Sequence, residues 1–540
     1  MNLDILIKNG KIVDGTGNLG FYADLGVKAG KIVFLGKSKE KLEAKKIIDA
    51  NNRVLCPGFI DIHSHADYYI PFDPLTQSTL QQGITTLVVG MCGSSLAPVN
   101  PEKKELFEKE FEMSAPPGLE YNVTWSTFDE YLTEMEKIGC SSNTANFVGF
   151  GPIRLCVMSY DNRAPTEAEL EQMKGLVDEA MAAGAFGMST GLIYTPQVYA
   201  ETDEIIEVAK VIGKHQGLYF SHVRGEGATV VDAVKEAIEI VEKSGCVGGQ
   251  IAHHKVSGKK NWGKSVETLK LIEEANKRGV NVTCDQYPYN RGMTSLVTLL
   301  PPWVHEGGMD KLLERLQDPE EKKKIKQEML EGNTFESFVE SSGWDKVYIA
   351  SLETEKWKAY EGKSLAEIAE LLERDDEFEV LCDILIDEQA KGSMTIESMG
   401  EEDIKRIMQS KYTMVGTDSS AVAPTGSLSS GKPHPRYYGT CPRILGKYVR
   451  KEQILEFEEA IRKMTSFPAQ RLGLFDRGLI REGNWADIVI FDPKTIIDKA
   501  TFLEPHQYPE GIEYIIVNGE ITIEKGKHLG IKAGKVLRKK

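Results

Sequence analysis

The sequence predicts an α/β protein: a (β/α)8 TIM-like barrel with a long insertion before its eighth strand, plus a small β-sandwich built from both chain termini. Three observations predict it. At 540 residues the chain is too long for one compact core of ordinary size, so a large domain with a smaller companion is expected. The two ends read alike, as short β-branched runs separated by turn signals. The middle alternates short apolar strands with amphipathic helices, the pattern of a parallel sheet with crossover helices.

The N-terminal segment from Asp4 to Ile47 is punctuated by Asn9-Gly10, Asp14-Gly15-Thr16-Gly17 and Lys28-Ala29-Gly30. The C-terminal segment from Ala486 to Leu537 carries Asp487-Ile488-Val489-Ile490-Phe491, Tyr514-Ile515-Ile516-Val517 and the turn Asn518-Gly519. Neither end can bury a sheet face alone. Residues 1–57 and 480–540 are therefore expected to pair into one sandwich, with 58–479 folding between them as the barrel domain. Eight strands are expected there, at 58–63, 85–91, 145–150, 185–189, 218–222, 249–253, 280–285 and 412–417. Between them, Thr166-Glu167-Ala168-Glu169 is a capping box opening a helix with Leu170, Met173, Val177, Ala180 and Met181 on one face. Thr229 similarly precedes Val230, Ala233, Val234, Ala237, Ile238 and Val241. The insertion is 286–411; it combines the apolar run from Leu296 to Trp303 with Gly307-Gly308 and charged helices, and is expected to act as a lid over the barrel mouth.

Composition narrows the function classes. With 41% hydrophobic and 27% charged residues this is an ordinary globular chain. A net charge of -16 gives no long-range attraction to phosphate backbones or anionic lipid, so nucleic acid and membrane partners are not expected. The start, Met1-Asn2-Leu3-Asp4, has no basic region followed by an apolar stretch, and no apolar run approaches the roughly 20 residues that span a bilayer, which points to the cytoplasm. The eight cysteines show no repeated spacing and read as reduced thiols. Oligomeric state is not readable.

In such barrels the chemistry sits at the C-terminal ends of the strands. The first strand ends in His63-Ser64-His65, where a period of two puts both imidazoles on one side. The second delivers Cys92, the fifth His222, the sixth His253 and the eighth Asp418. Thiolate, imidazole and carboxylate together are the ligand set of zinc. His254 competes with His253, but on a strand His253 and Lys255 share a face while His254 points to the other. Lys255 beside a metal suits an anionic substrate group, and Arg436 is a further cation for the same task.

These residues resemble the D-aminoacylase (N-acyl-D-amino-acid deacylase) family of the amidohydrolase superfamily. The resemblance is carried by Pro57-Gly58-Phe59-Ile60-Asp61-Ile62-His63-Ser64-His65, Cys92-Gly93-Ser94-Ser95-Leu96-Ala97-Pro98, Gly187-Met188-Ser189-Thr190-Gly191-Leu192-Ile193-Tyr194 and Ser221-His222-Val223-Arg224-Gly225-Glu226. It continues through His253-His254-Lys255, Asp285-Gln286-Tyr287-Pro288-Tyr289, Gly416-Thr417-Asp418 and His434-Pro435-Arg436. The His-x-His element marks only the superfamily; the Cys-Gly-x-Ser-Leu-Ala-Pro and Gly-Leu-Ile-Tyr elements are more specific. What the resemblance implies is a zinc enzyme cleaving small N-acyl-D-amino acids, with Cys92, His222 and His253 as tight ligands. His63 and His65 would form a second, weaker site open to sharing Cys92. Asp418 would be the catalytic carboxylate, and Lys255, Tyr194, Tyr289 and Ser295 would hold the substrate's carboxylate or carbonyl. Phe150 departs from the family, in which histidine is favoured in the Gly-x-Gly after the third strand. Preference for the D enantiomer comes from the resemblance alone. Two other readings stand beside it: a hydantoinase- or dihydroorotase-like hydrolase of cyclic amides, in which a modified lysine rather than Cys92 bridges two metals, and a non-catalytic scaffold.

Overall fold

A computed structural model describes residues 2–37, 42–332 and 334–540. The N-terminal segment supplies β1 (Asn2–Ile12), β2 (Phe21–Lys28), β3 (Lys31–Gly36), β4 (Glu43–Asp49) and β5 (Val54–Pro57). The middle supplies β6 (Phe59–Asp61), β7 (Ile84–Val89), β8 (Asn143–Asn146), β9 (Val148–Gly149), β10 (Gly187–Gly191), β11 (Leu218–His222), β12 (Gly248–Ile251) and β13 (Val282–Gln286). The insertion contributes β14 (Arg291–Ser295), β15 (Val347–Ser351) and β16 (Ser393–Glu397), and the chain continues with β17 (Thr413–Val415). The C-terminal segment holds β18 (Ile488–Phe491), β19 (Ile512–Val517), β20 (Glu520–Glu524), β21 (Lys527–His528) and β22 (Val536–Leu537).

The termini meet where β18 lies antiparallel to β5, giving one sheet in the order β21-β20-β19-β18-β5-β1-β2-β3, with β4 also against β1. This sheet returns on itself, because Ile32 N–H donates to Asn484 O and Ala486 N–H to Gly30 O, each at 2.9 Å. Alternate residues of the strands, among them Ile5, Ile7, Leu25, Val27, Ile488 and Ile490, fill the space enclosed. The last residues leave this sheet. β22 pairs in parallel with β8 through Val536 and Leu537, and Lys539 N–H donates to Gly184 O at 2.8 Å. The physical reason is an open edge: β10 reaches the β8 segment only through Phe186 N–H to Asn146 O, so the backbone at Thr144–Ala145 takes the tail as its partner.

The middle strands are all parallel. One ladder runs β6-β7-β8 and another β9-β10-β11-β12-β13-β17. β8 and β9 are one strand interrupted at Phe147, whose N–H still donates to Val89 O at 2.9 Å. At the other edge Asp418 N–H donates to His63 O at 2.8 Å and His65 N–H to Ser419 O at 2.9 Å, so the ladder returns to its first strand. The helix Glu167–Ala182 opens with the expected box: Thr166 N–H donates to Glu169 at 2.7 Å and Glu169 N–H to Thr166 Oγ1 at 3.3 Å. The helix Val230–Ser244 has no such box; the side chain of its N-cap residue Thr229 makes no capping hydrogen bond.

The insertion is a unit with its own core. Its strands form an antiparallel sheet, β14-β16-β15, and Leu312, Ile325, Met329, Ile349, Trp357, Phe378, Leu381 and Met394 pack together beneath it. All eight cysteines are free and buried. No helix among the described residues is long and apolar enough to cross a membrane.

Candidate active site

The ends of the parallel strands converge on a cavity of about 960 Å³ lined in part by residues of the insertion. Asp61, at the end of β6, ties the first strand to the last. Its Oδ1 accepts N–H groups from His63 at 3.2 Å and Thr417 at 2.8 Å, and its Oδ2 accepts the Thr417 hydroxyl at 2.6 Å. Burial pushes the Asp61 carboxyl up to about 7 against those hydrogen bonds.

Three of the converging residues stand just beyond strand ends with left-handed backbones: Cys92 (φ 52°), His253 (φ 32°) and Asp418 (φ 52°). Such conformations are costly for residues with a Cβ and recur where surrounding structure forces a side chain into a site. Gly90 makes the approach to Cys92 possible, since a Cβ there would lie 2.0 Å from Phe147 O. Cys92 Sγ is 3.3 Å from both His63 Nε2 and His253 Nε2, and His253 Nε2 is 2.8 Å from His222 Nδ1. Asp418 Oδ1 lies 3.2 Å from His65 Nε2 and 3.5 Å from His63 Nε2, while its Oδ2 takes Arg436 Nη1 at 2.8 Å. His254 points away, its Nε2 2.8 Å from Thr268 Oγ1.

Charge organises the centre. Burial pushes the Cys92 thiol up, but His63 and His253 outweigh it and hold it well below its usual range as a thiolate. Burial likewise raises Asp418, and Arg436 with His253 overcomes it, leaving an ionised carboxylate. Burial lowers His65, yet its bonds to Asp418 and Cys92 raise it to about 9.

A divalent cation fits this donor set. One donor atom each from His63, Cys92, His253 and Asp418, all buried, lie within 4.8 Å of one another, and His222, Glu226 and His253 form a second such group. His253 Nε2 lies 2.8 Å from His222 Nδ1 and 3.3 Å from Cys92 Sγ, so nitrogen and sulfur donors of the types that hold zinc crowd together at one point. His222 Nε2 is also buried with no hydrogen-bond partner among the described residues, its nearest charged neighbour being Glu226 Oε1 at 3.7 Å.

The cations expected to meet a substrate already face carboxylates. Lys255 Nζ is 2.5 Å from Glu226 Oε1 and 2.7 Å from His253 Nδ1. Arg436 lies over the Tyr287 ring at 4.5 Å, its N–H donates to His434 Nδ1 at 2.9 Å, and His434 Nε2 sits 3.0 Å from Arg291 O. Tyr194 packs edge-on to His222 with ring centroids 5.0 Å apart, its hydroxyl 3.2 Å from Thr294 Oγ1. Ser295 lines the cavity and its hydroxyl donates to Gly392 O at 3.4 Å. Tyr289 is placed differently from the sequence expectation: it stands behind the wall, its hydroxyl 3.4 Å from Pro435 O and its ring against His434. Tyr287 takes the wall instead, because Pro288 turns the chain between them.

Sequence reasoning gave no role to Glu226, Asp285 or His434, which orient the converging side chains. Asp285 Oδ1 accepts His253 N–H at 2.8 Å and lies 3.2 Å from His63 Nδ1. Glu226 Oε1 is 3.1 Å from His253 Nδ1. The signal was present in their positions: Asp285 is a carboxylate at a strand end, and Glu226 follows His222 by four residues.

Comparison with known proteins agrees with the geometry. The pattern of an amidohydrolase family matches residues 416–523. A D-aminoacylase of Alcaligenes xylosoxydans xylosoxydans is 34% identical over 99% of this chain and 97% of its own. Among solved structures, an N-acyl-D-glutamate deacylase from Bordetella bronchiseptica, complexed with zinc and a phosphonate mimic of the reaction's tetrahedral intermediate, superposes with a TM-score of 0.80. It is 31% identical and covers 100% of both chains. A D-aminoacylase structure concerned with a binuclear metal centre, one-metal activation and second-metal attenuation also gives 0.80, at 32% identity over 99% of this chain and 100% of that one.

Proposed function

Since this chain belongs to the D-aminoacylase (N-acyl-D-amino-acid deacylase) family of amidohydrolases, we propose that it is a zinc-dependent enzyme hydrolysing the amide bond of small N-acyl-D-amino acids to a D-amino acid and a carboxylate. The observation that carries this reading is the convergence of the buried residues Cys92, His222 and His253 with Asp418 on the wall of one cavity. The closed parallel ladder supports a (β/α)8 barrel over 58–479 with 286–411 as its insertion, and the returning terminal sheet supports a β-sandwich from the two ends. The free thiols fit a cytoplasmic enzyme.

Cys92, His222 and His253 would hold the tight zinc, and His63 with His65 would complete a second, weaker site around Cys92. Zinc bound there supplies Lewis acidity, bringing a water's pKa toward about 7 and polarising the scissile carbonyl. Asp418 takes the attacking water's proton and then delivers it to the departing nitrogen, without which an amide anion would have to leave. Arg436 holds Asp418 in place through Oδ2, and its Oδ1 faces the His63 and His65 side of the centre, where that transfer would take place. Tyr194 and His65 offer donors to the developing oxyanion, an effect of about 3 to 4 kcal/mol per donor in comparable sites. Lys255 and Arg436 receive the substrate carboxylate; the Arg436 Nε is buried without a partner among the described residues. Ser295 and Tyr287 border the same space. A thiolate among the ligands favours this reading over hydrolysis of cyclic amides.

The deciding experiment is amino-acid release from paired N-acetyl-D- and N-acetyl-L-amino acids by zinc-reconstituted protein. Release from the D compounds alone is expected. No release from either, with zinc bound, would overturn the proposal.

A further inference from the structure

Glu336 belongs to the insertion but reaches out of it, to the loop after β11 that carries His222 and Glu226. Its Oε2 accepts Glu226 N–H at 2.5 Å, and its Oε1 accepts Gly227 N–H at 2.7 Å and Thr229 N–H at 3.4 Å. The Glu226 and Gly227 N–H groups belong to the loop that leads into the helix Val230–Ser244, and Thr229 is that helix's N-cap residue, whose side chain makes no capping hydrogen bond. A carboxylate from a distant part of the chain takes these N–H groups. Two glycines make room for it: a Cβ on Gly227 would come 2.9 Å from Glu336 Oε1, and one on Gly225 would come 3.1 Å from Glu336 Oε2.

The residue gripped by its backbone is the one whose side chain sets the site. Glu226 Oε1 contacts Lys255 Nζ at 2.5 Å and His253 Nδ1 at 3.1 Å. With His253 Nε2 3.3 Å from Cys92 Sγ, its Nδ1 faces both Glu226 Oε1 at 3.1 Å and Lys255 Nζ at 2.7 Å, so the Glu226 carboxylate fixes the lysine and the far side of the ligand ring together, as groups around a metal ligand do. The segment around Glu336 also walls the cavity, through Thr334, Phe335 and Phe338. One stretch of insertion therefore touches both the substrate space and the loop that aims the anion-binding lysine.

We propose that Glu336 is a positioning residue that couples the seating of the insertion to the setting of Lys255 and His253, acting through Glu226. The inference rests on the deacylase reading. When the insertion lifts, three N–H groups lose their acceptor and Glu226 loses its aim; when it seats, wall, lysine and ligand are set together.

The test uses the full-length protein and two readouts: zinc affinity by competition with a chromophoric chelator, and KM for N-acetyl-D-methionine. Glu336→Ala should weaken both by about tenfold, the low end of what removing a ligand's own orienting partner does, because Glu336 acts one residue further out, through Glu226. Glu336→Gln keeps the shape and one acceptor oxygen, so a smaller loss in the same direction is expected even if the alanine variant folds poorly. Glu340→Ala is the control, because the Lys260–Glu340 pair at 2.6 Å joins the same two parts of the molecule on the surface without touching the loop. It should leave both readouts unchanged. Wild-type values in both Glu336 variants overturn the proposal, as does an equal shift in Glu340→Ala. A wild-type protein that binds zinc but releases no amino acid would instead remove the deacylase reading, and the zinc affinities would still decide the coupling.

Discussion

At the scale of single residues the site is a set of side chains aimed by unusual backbone. Strand alternation separates His253 from His254 in the sequence, yet β12 ends at Ile251, and His253 is aimed by a left-handed φ of 32° that the sequence does not announce. The same holds for Cys92 and Asp418. Tyr289, chosen from its motif, stands behind the cavity, and Tyr287 two residues earlier faces it, a difference of register invisible in a Tyr-Pro-Tyr string. Two outcomes follow at this scale. Asp418→Asn should lower kcat by about 10² to 10⁴, the usual worth of a positioned acid-base group, while zinc content measured by atomic absorption stays at the wild-type level. Cys92→Ala should lose the tightly bound zinc itself, seen as metal-free protein after dialysis.

Elements fix where those residues can go. The parallel strands were legible because short apolar runs alternate with helical periodicity, and the helix at Glu167 because its capping box is local. The C-terminal tail was not legible as a partner of β8, since its pairing answers an open strand edge made by residues nearly 400 positions away. The insertion has its own core, with Trp357 2% exposed at its centre. Trp357→Ala should therefore destabilise the insertion by about 3 to 5 kcal/mol. Limited proteolysis is expected to cut within 307–411 in that variant, with zinc affinity falling in the same direction as in Glu336→Ala; cuts spread equally over the parallel strands would show that the insertion does not fold as a separate unit. A substrate analogue should protect the wild-type insertion from the same cuts, as a lid requires.

For the whole molecule, charge around the cavity bears on which substrates enter. Among the described lining residues each lysine and arginine already faces a carboxylate: Arg224 faces Glu236, Lys255 Glu226, Arg436 Asp418, and Lys391 Glu112 and Glu353. Glu110 and Glu336 add further acid to the walls, while Phe107, Phe111, Leu300 and Phe338 supply apolar surface. A second carboxylate on the substrate would meet no spare cation. N-acetyl-D-methionine should be hydrolysed with a kcat/KM at least about tenfold above N-acetyl-D-glutamate, a difference of about 1.4 kcal/mol in transition-state binding. The opposite order in a side-by-side assay would mean that one of these ion pairs opens for the substrate.

The sequence alone determined the α/β class, the run of parallel strands and the donor types beyond their ends, because periodicity, turn residues and the chemistry of histidine and cysteine are local properties. Tertiary structure decided which donors meet, which tyrosine faces the cavity, and that Lys255 and Arg436 arrive already paired. It also brought Glu336 to the backbone of Glu226 across 110 residues of chain. Those are distances between segments far apart in sequence, and only the packing of sheet, helices and insertion sets them.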